Sequence, residues 1–188
     1  MDKNTLRNNF KQMRIRMDEQ SVRSLSLVIQ KKIIEHPAFK DSRVIMAYMP
    51  IQNEVMTDII IKTALKEGKT VCLPRVINET HMEAAQIIKH NENLHITSLE
   101  LLEPHHTIPS FIPLNIDLLI LPGIVFDKKG TRIGFGKGYF DRFIPSLRQD
   151  CIKLAPAYHH QVVEKIPFDV HDQSANLIIT EQEIFLCK

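Results

Sequence analysis

Leu6, Phe10, Met13 and Met17 recur at helical spacing, so the first segment is predicted to be an amphipathic helix. Lys3, Arg7, Lys11 and Arg14 follow the same spacing on another stripe, and such a stripe is commonly a solvated face. A second helix is predicted from Asp18, which can cap it, to His36; Val22, Leu25, Ile29 and Ile33 are its apolar stripe and Pro37 ends it. Arg43 to Tyr48 is apolar and β-rich and reads as the first strand. A loop without strong turn residues, Met49 to Val55, separates it from a helix over Asp58 to Glu67, with Thr57 as cap and Gly68 as stop. Thr70 to Leu73 is the next strand. Strand, helix, strand in so short a span is a βαβ unit with a parallel pair. Further strands are predicted at Glu83–Ile88, Leu118–Leu121, Ile152–Tyr158, Leu177–Thr180 and Glu183–Leu186, with a helix over Tyr139–Leu147. The pattern predicts an α/β fold: one domain over 1–188, three layers α/β/α, with a mostly parallel, Rossmann-like central sheet.

Composition narrows this further. With 188 residues the chain can bury a core as a single domain. A net charge of +2 offers no surface suited as a whole to nucleic acid or membrane, so any basic site must be local. Cys72, Cys151 and Cys187 are odd in number and lack metal-ligand spacing, which suits reduced thiols in a cytoplasmic protein. The opening Met1-Asp2-Lys3-Asn4 has no signal-peptide character, and no apolar run reaches transmembrane length. The expectation is a cytoplasmic monomer with no nucleic-acid or membrane partner. His105 and His106 are adjacent and on a strand would point apart, so they make a poor metal pair.

The chain becomes specific between Gly123 and Arg142. Of its 6 glycines, all but Gly68 lie at 123–138. Strand, glycine-rich basic loop and helix start form an arrangement that can bind phosphate through free N–H groups and the helix dipole. The pattern Gly134-Phe135-Gly136-Lys137-Gly138-Tyr139-Phe140-Asp141-Arg142 is neither a Walker A loop, since Gly138 follows Lys137, nor the dinucleotide fingerprint, since Tyr139 stands where the third glycine belongs. Arg132 and Lys137 add charge that would assist a phosphate. A flexible surface loop with a charged rim is the competing reading.

Leu121-Pro-Gly-Ile-Val-Phe-Asp127, followed by Gly130-x-Arg132-Ile-Gly134-Phe-Gly136-Lys-Gly138-Tyr139-Phe140-Asp141-Arg142, resembles the signature of the 5-formyltetrahydrofolate cyclo-ligase family, also called methenyltetrahydrofolate synthetase. The resemblance runs from Lys3 to Glu181 and is weakest at 77–101. It implies that Lys3 and Arg7, in Lys3-x-x-Leu6-Arg7, contact ATP phosphates. It implies a folate-facing segment in Tyr48-x-Pro50-x-x-x-Glu54-Val55, where the glutamate accepts from the donor-rich edge of the pterin. Asp172 of Val170-His171-Asp172, with Asp141, becomes the candidate magnesium pair, since Mg²⁺ prefers a few carboxylates plus phosphate oxygens; Asp169 matches less well. Tyr139 would lie against the folate or its formyl group. Three departures stand out. Glu83 and Ala84 follow Met82 where relatives carry an aromatic, Phe140 replaces a common Tyr, and Gln173, Ser174 and Asn176 stand where Pro and Asp are usual.

The reaction the resemblance implies is ATP-dependent closure of 5-formyltetrahydrofolate to 5,10-methenyltetrahydrofolate. The formyl oxygen attacks the γ-phosphate, the neighbouring arylamine nitrogen closes the ring, and phosphate leaves. Arg132, Lys137 and Tyr139 would be the catalytic residues, with Mg²⁺ as cofactor and ATP as co-substrate. Two other classes stay open: a nucleotide-binding regulatory module without activity, and a sugar-phosphate isomerase-like enzyme.

Overall fold

Eight strands form one twisted sheet in the computed structural model, which describes residues 1–90, 94–97 and 102–187. The amino-terminal half supplies α1 (Lys3–Ile15), α2 (Glu19–Glu35), α3 (Pro37–Lys40), β1 (Val44–Met46), α4 (Asp58–Lys66), β2 (Thr70–Val76), β3 (Met82–Ile87) and β4 (Leu94–Ile96). The rest supplies β5 (Leu102–Pro104), β6 (Ser110–Phe111), β7 (Leu118–Ile120), β8 (Val125–Asp127), β9 (Arg132–Ile133), α5 (Tyr139–Phe143), β10 (Ile152–Pro156), β11 (Val162–Val163), β12 (Leu177–Ile179) and β13 (Ile184–Leu186). The large sheet runs β13-β12-β10-β7-β1-β2-β3-β6. Its five central strands, from β12 to β2, are parallel, and β13, β3 and β6 close its edges antiparallel. A three-stranded sheet β11-β8-β9 and a pair β4-β5 stand beside it.

The alternation of side chains along each strand divides the core in two. Ile45, Leu118 and Ile120 face one side and pack with Ile29 and Ile33 of α2 and Ile60 and Ile61 of α4. Met46, Leu119 and Leu121 face the other and pack with Phe143, Ile144 and Leu147. Strands covered on both faces read as continuous apolar runs, which is why β7 carries Leu-Leu-Ile without alternation. A third, smaller cluster joins Leu6 of α1 to Val125, Ile133 and Ile166, fixing α1 over the small sheet.

Several local expectations change. The helix predicted over Tyr139–Leu147 is an α-helix only to Phe143 and continues as a 3₁₀ turn, Ile144–Ser146. Pro145 has no N–H to donate to the carbonyl four residues back, so the α ladder stops there. Thr57 does not cap α4; its hydroxyl donates to the Tyr48 carbonyl at 2.6 Å, and Gln30 Oε1 accepts from Ile59 N–H at 2.9 Å instead. Asp18 does cap α2, accepting from Ser21 N–H at 2.8 Å. The stretch expected as one loop from 123 to 138 contains the β8–β9 hairpin. Asp127 organises its turn, accepting from Lys129 N–H and Thr131 N–H at 3.0 Å each. Gly130 in that turn has φ +88, and a Cβ there would lie 2.2 Å from the Ala175 carbonyl oxygen, so only glycine fits. His105 and His106 do not point apart, because they lie just past the end of β5; their ring centroids are 4.0 Å apart. Part of the weakly resembling stretch 77–101 falls outside the described residues. Among the described residues, no helix is long and apolar enough to cross a membrane.

Candidate active site

Where β1, β2 and β7 end, the chain leaves a cavity of about 490 Å³. It lies at the carboxyl ends of the parallel strands, where open α/β sheets bind ligands. Tyr48, Met49, Ile51 and Glu54 beyond β1 form one wall, with Pro74 and Val76 of β2 beside them. Arg132 and the whole segment Gly134 to Gly138 also line the cavity. Lys3 and Arg7 of α1 close one side, and Tyr139, Asp141, Asp169 and Asp172 another. Two residues expected on the folate side are not in the lining. Val55 is 2% exposed and packs in the core, its carbonyl accepting from the Tyr48 hydroxyl at 2.9 Å, while Pro50 is half-buried outside the cavity.

The glycine segment is open. Among the described residues, the N–H groups of Phe135, Gly136, Lys137 and Gly138 donate to no other backbone group. Gly136 has φ +100 and Gly138 φ +66, conformations that turn successive N–H groups into a concave, anion-seeking nest. α5, at five residues, adds little of the dipole expected from a longer helix. The segment is braced by α1: Arg7 Nε donates to the Gly134 carbonyl at 2.9 Å. Lys137 is exposed at the lip.

Arg132 is 5% exposed and its Nη2 lies 2.9 Å from Asp141 Oδ1. Burial pulls its guanidinium below the usual value, and Asp141 and Asp172 oppose that. Gln173 N–H donates to the same Asp141 oxygen at 3.2 Å, bringing the 169–173 segment against α5. Lys3 Nζ is 2.7 Å from Asp169 and also bonds Asp172. Burial lowers the Lys3 ammonium, but the two acids outweigh it and hold it above its ordinary value. Asp169, which resembled the family less, is therefore part of the same charge cluster. Among the described residues, no group of three or more His, Cys, Asp or Glu is arranged to hold a metal. A pair of acids beside a phosphate nest nonetheless suits Mg²⁺, which completes its shell with phosphate oxygens and water.

Glu54, in the loop after β1, is a buried acid. It is 6% exposed; Ile51 N–H donates to Oε2 at 3.1 Å, and Arg14 Nη1 lies 3.7 Å from Oε1. Gln52 and Asn53 both have positive φ, 47 and 58, which folds the loop back. Asn53 then donates to the carbonyls of Arg14, Ile15 and Met17 at 3.1, 3.2 and 3.1 Å, satisfying the end of α1. Burial pushes the Glu54 carboxyl up to about 7, with Arg14 and the Ile51 N–H pulling the other way. Arg14, placed with the solvated stripe by periodicity, is 1% exposed. The missing aromatic after Met82 is explained locally: Glu83 forms an ion pair with Arg75 and accepts from Ser110 at 2.6 Å.

The family description for 5-formyltetrahydrofolate cyclo-ligases matches residues 1–181. The chain belongs to the 5-formyltetrahydrofolate cyclo-ligase family. Among relatives in the family, the 5-formyltetrahydrofolate cyclo-ligase of Mus musculus is 32% identical over 83% of this chain and 82% of its own. The 5,10-methenyltetrahydrofolate synthetase of Aquifex aeolicus superposes with a TM-score of 0.88 at 30% identity, over 100% of this chain and 94% of its own. The synthetase of Mycoplasma pneumoniae gives 0.78 at 28% identity, over 96% and 99%. In this cyclo-ligase family member the raised Glu54 value has a thermodynamic consequence. The folded value, about 7, exceeds the ordinary 4.5, so the stability linked to this group is full below 4.5 and is lost as pH rises through 7. Relative to Glu54→Gln, the wild type should lose about 1.4 kcal/mol per pH unit between those values and nothing more above them. Urea midpoints measured across pH check this; parallel curves for the two proteins would refute it.

Proposed function

We propose that this single-domain protein, acting as a monomer, uses ATP and Mg²⁺ to close 5-formyltetrahydrofolate to 5,10-methenyltetrahydrofolate, releasing ADP and phosphate. The observation that carries the reading is that one cavity is lined both by a glycine segment with backbone N–H groups unpaired among the described residues and by the buried carboxylate of Glu54. Glu54 accepts from the N–H groups of the pterin edge and sets the reduced ring between Tyr48 and Tyr139. The N–H groups of 135–138, with Lys137 and Arg132, hold the polyphosphate, and Arg7 braces the segment. Lys3 leaves its two acids for the phosphates as nucleotide enters. Asp141 and Asp172 are the residues that would hold Mg²⁺, which neutralises charge on the phosphate oxygens.

In the first step the formyl oxygen forms a bond to the γ-phosphorus and the bond to the ADP oxygen breaks. The arylamine nitrogen then bonds the formyl carbon and loses its proton, and the carbon–oxygen bond breaks to release phosphate. No protein nucleophile is needed; the residues contribute alignment and charge stabilisation, which is how phosphoryl transfer is ordinarily catalysed. Purified protein with Mg-ATP and 5-formyltetrahydrofolate should form the conjugated methenyl product with one ADP per turnover, followed by absorbance. Nucleotide binding without folate-dependent ADP release would favour a regulatory module and end this reading. Lys137→Ala should raise the KM for ATP about tenfold by removing one charge-assisted contact. Unchanged nucleotide kinetics in that variant would remove Lys137 from the site.

A further inference from the structure

Arg14 is a charged residue of α1 that the proposed chemistry leaves without a task, and it is buried where Lys11 is not. It does not line the cavity, yet it is 1% exposed. Its guanidinium is fixed from three directions. Nε donates to the Gln52 carbonyl at 2.9 Å, Nη1 to the Gly123 carbonyl at 3.2 Å, and its centre lies 5.4 Å from the Phe135 ring centroid. A planar fork held this way cannot swing toward a ligand. It can act on Glu54, whose Oε1 is 3.7 Å away and, like Arg14 Nη2, is buried without a hydrogen bond.

We propose that Arg14 is a positioning residue for folate: it favours the ionised form of the Glu54 carboxylate and holds the group in place at the cavity lining. The inference rests on the folate role given to Glu54 above. The groups facing Glu54 are few. Arg14 comes from α1, Tyr48 from the segment after β1, and Tyr158 from the segment after β10, its hydroxyl 3.4 Å from the Glu54 carbonyl. Both tyrosines are neutral at working pH, so among the described residues Arg14 is the cation opposing burial of the carboxylate. A ligand edge carrying two adjacent N–H donors needs both carboxylate oxygens as acceptors. A protonated carboxyl offers one acceptor fewer and adds a donor that the edge cannot take. Losing Arg14 therefore shifts Glu54 further toward its neutral form at neutral pH.

The test measures Glu54 directly. Carboxyl-labelled glutamate is followed by ¹³C NMR against pH, with Glu54→Gln identifying the resonance, in wild type, Arg14→Met and Arg14→Gln; the glutamine variant can keep a carbonyl contact should the methionine variant not fold. The expected result is a Glu54 midpoint raised by about one pH unit or more. In the same variants kcat/KM for 5-formyltetrahydrofolate should fall about tenfold at neutral pH and recover in alkali, with the KM for ATP little changed. An unmoved midpoint overturns the proposal, as does a loss equal at every pH and for both substrates. If the wild type makes no methenyl product, the cyclo-ligase reading fails while the titration still decides what Arg14 does to Glu54.

Discussion

Arg132→Met is expected to lower kcat by about 10²–10³-fold, the usual cost of removing one preorganised donor from developing charge. The argument is positional. Arg132 comes from the short strand β9, which the β8–β9 hairpin holds rigidly, and it reaches the cavity with a buried Nε that has no protein partner. A buried cation with a spare donor beside an open nest suits charge that appears during the reaction. The effect should fall on kcat more than on the KM for ATP, because binding is shared with Lys137 and the backbone. Asp141, left behind, is partly exposed and can be solvated, so the fold should survive. Arg132→Lys restores the charge without the fork and should give an intermediate rate. Single-turnover kinetics with a thermal melt as control check this; a kcat within threefold of wild type in a folded variant would remove Arg132 from the chemistry.

Glu54→Gln is the second large effect. Trading a carboxylate for an amide removes charge-assisted acceptors worth about 1.5–3 kcal/mol, so the KM for 5-formyltetrahydrofolate should rise about 10- to 100-fold. ATP binding should be kept, because the proposed phosphate contacts come from the backbone N–H groups of 135–138, Arg132 and Lys137 and not from Glu54. Equilibrium titration of each substrate separates the two outcomes, and equal losses for both would mean that the change is structural. The same substitution flattens the pH dependence of stability described above, so one variant reads out both the ligand contact and the burial of the acid.

Most of the fold was legible because its signals are local and repeated. The α2 stripe of Val22, Ile29 and Ile33 and the unbroken apolar β7 each announce their own burial. Strands of two residues, such as β9 and β11, were not legible, since so few positions carry no period. Thr57 was misjudged because its best acceptor, the Tyr48 carbonyl, is a tertiary neighbour of the helix start. The glycine segment drew attention through its own composition and Glu54 through motif resemblance, while Arg14 was passed over. Its partners lie at Gln52, Glu54 and Gly123, far along the chain, and a basic stripe looks the same whether it meets water or a buried acid.

α1 touches two parts of the cavity lining. Near its start, Lys3 and Arg7 meet the acids and the glycine segment; at its end, Arg14 and Asn53 lock it to the turn that carries Glu54. Anyone wishing to graft this glycine loop onto another α/β scaffold to test its proposed nucleotide role would therefore have to carry the helix with it. Moved alone, residues 130–142 would lose the brace that sets their spacing from the second substrate, and the chimera would bind phosphate without aligning anything to receive it.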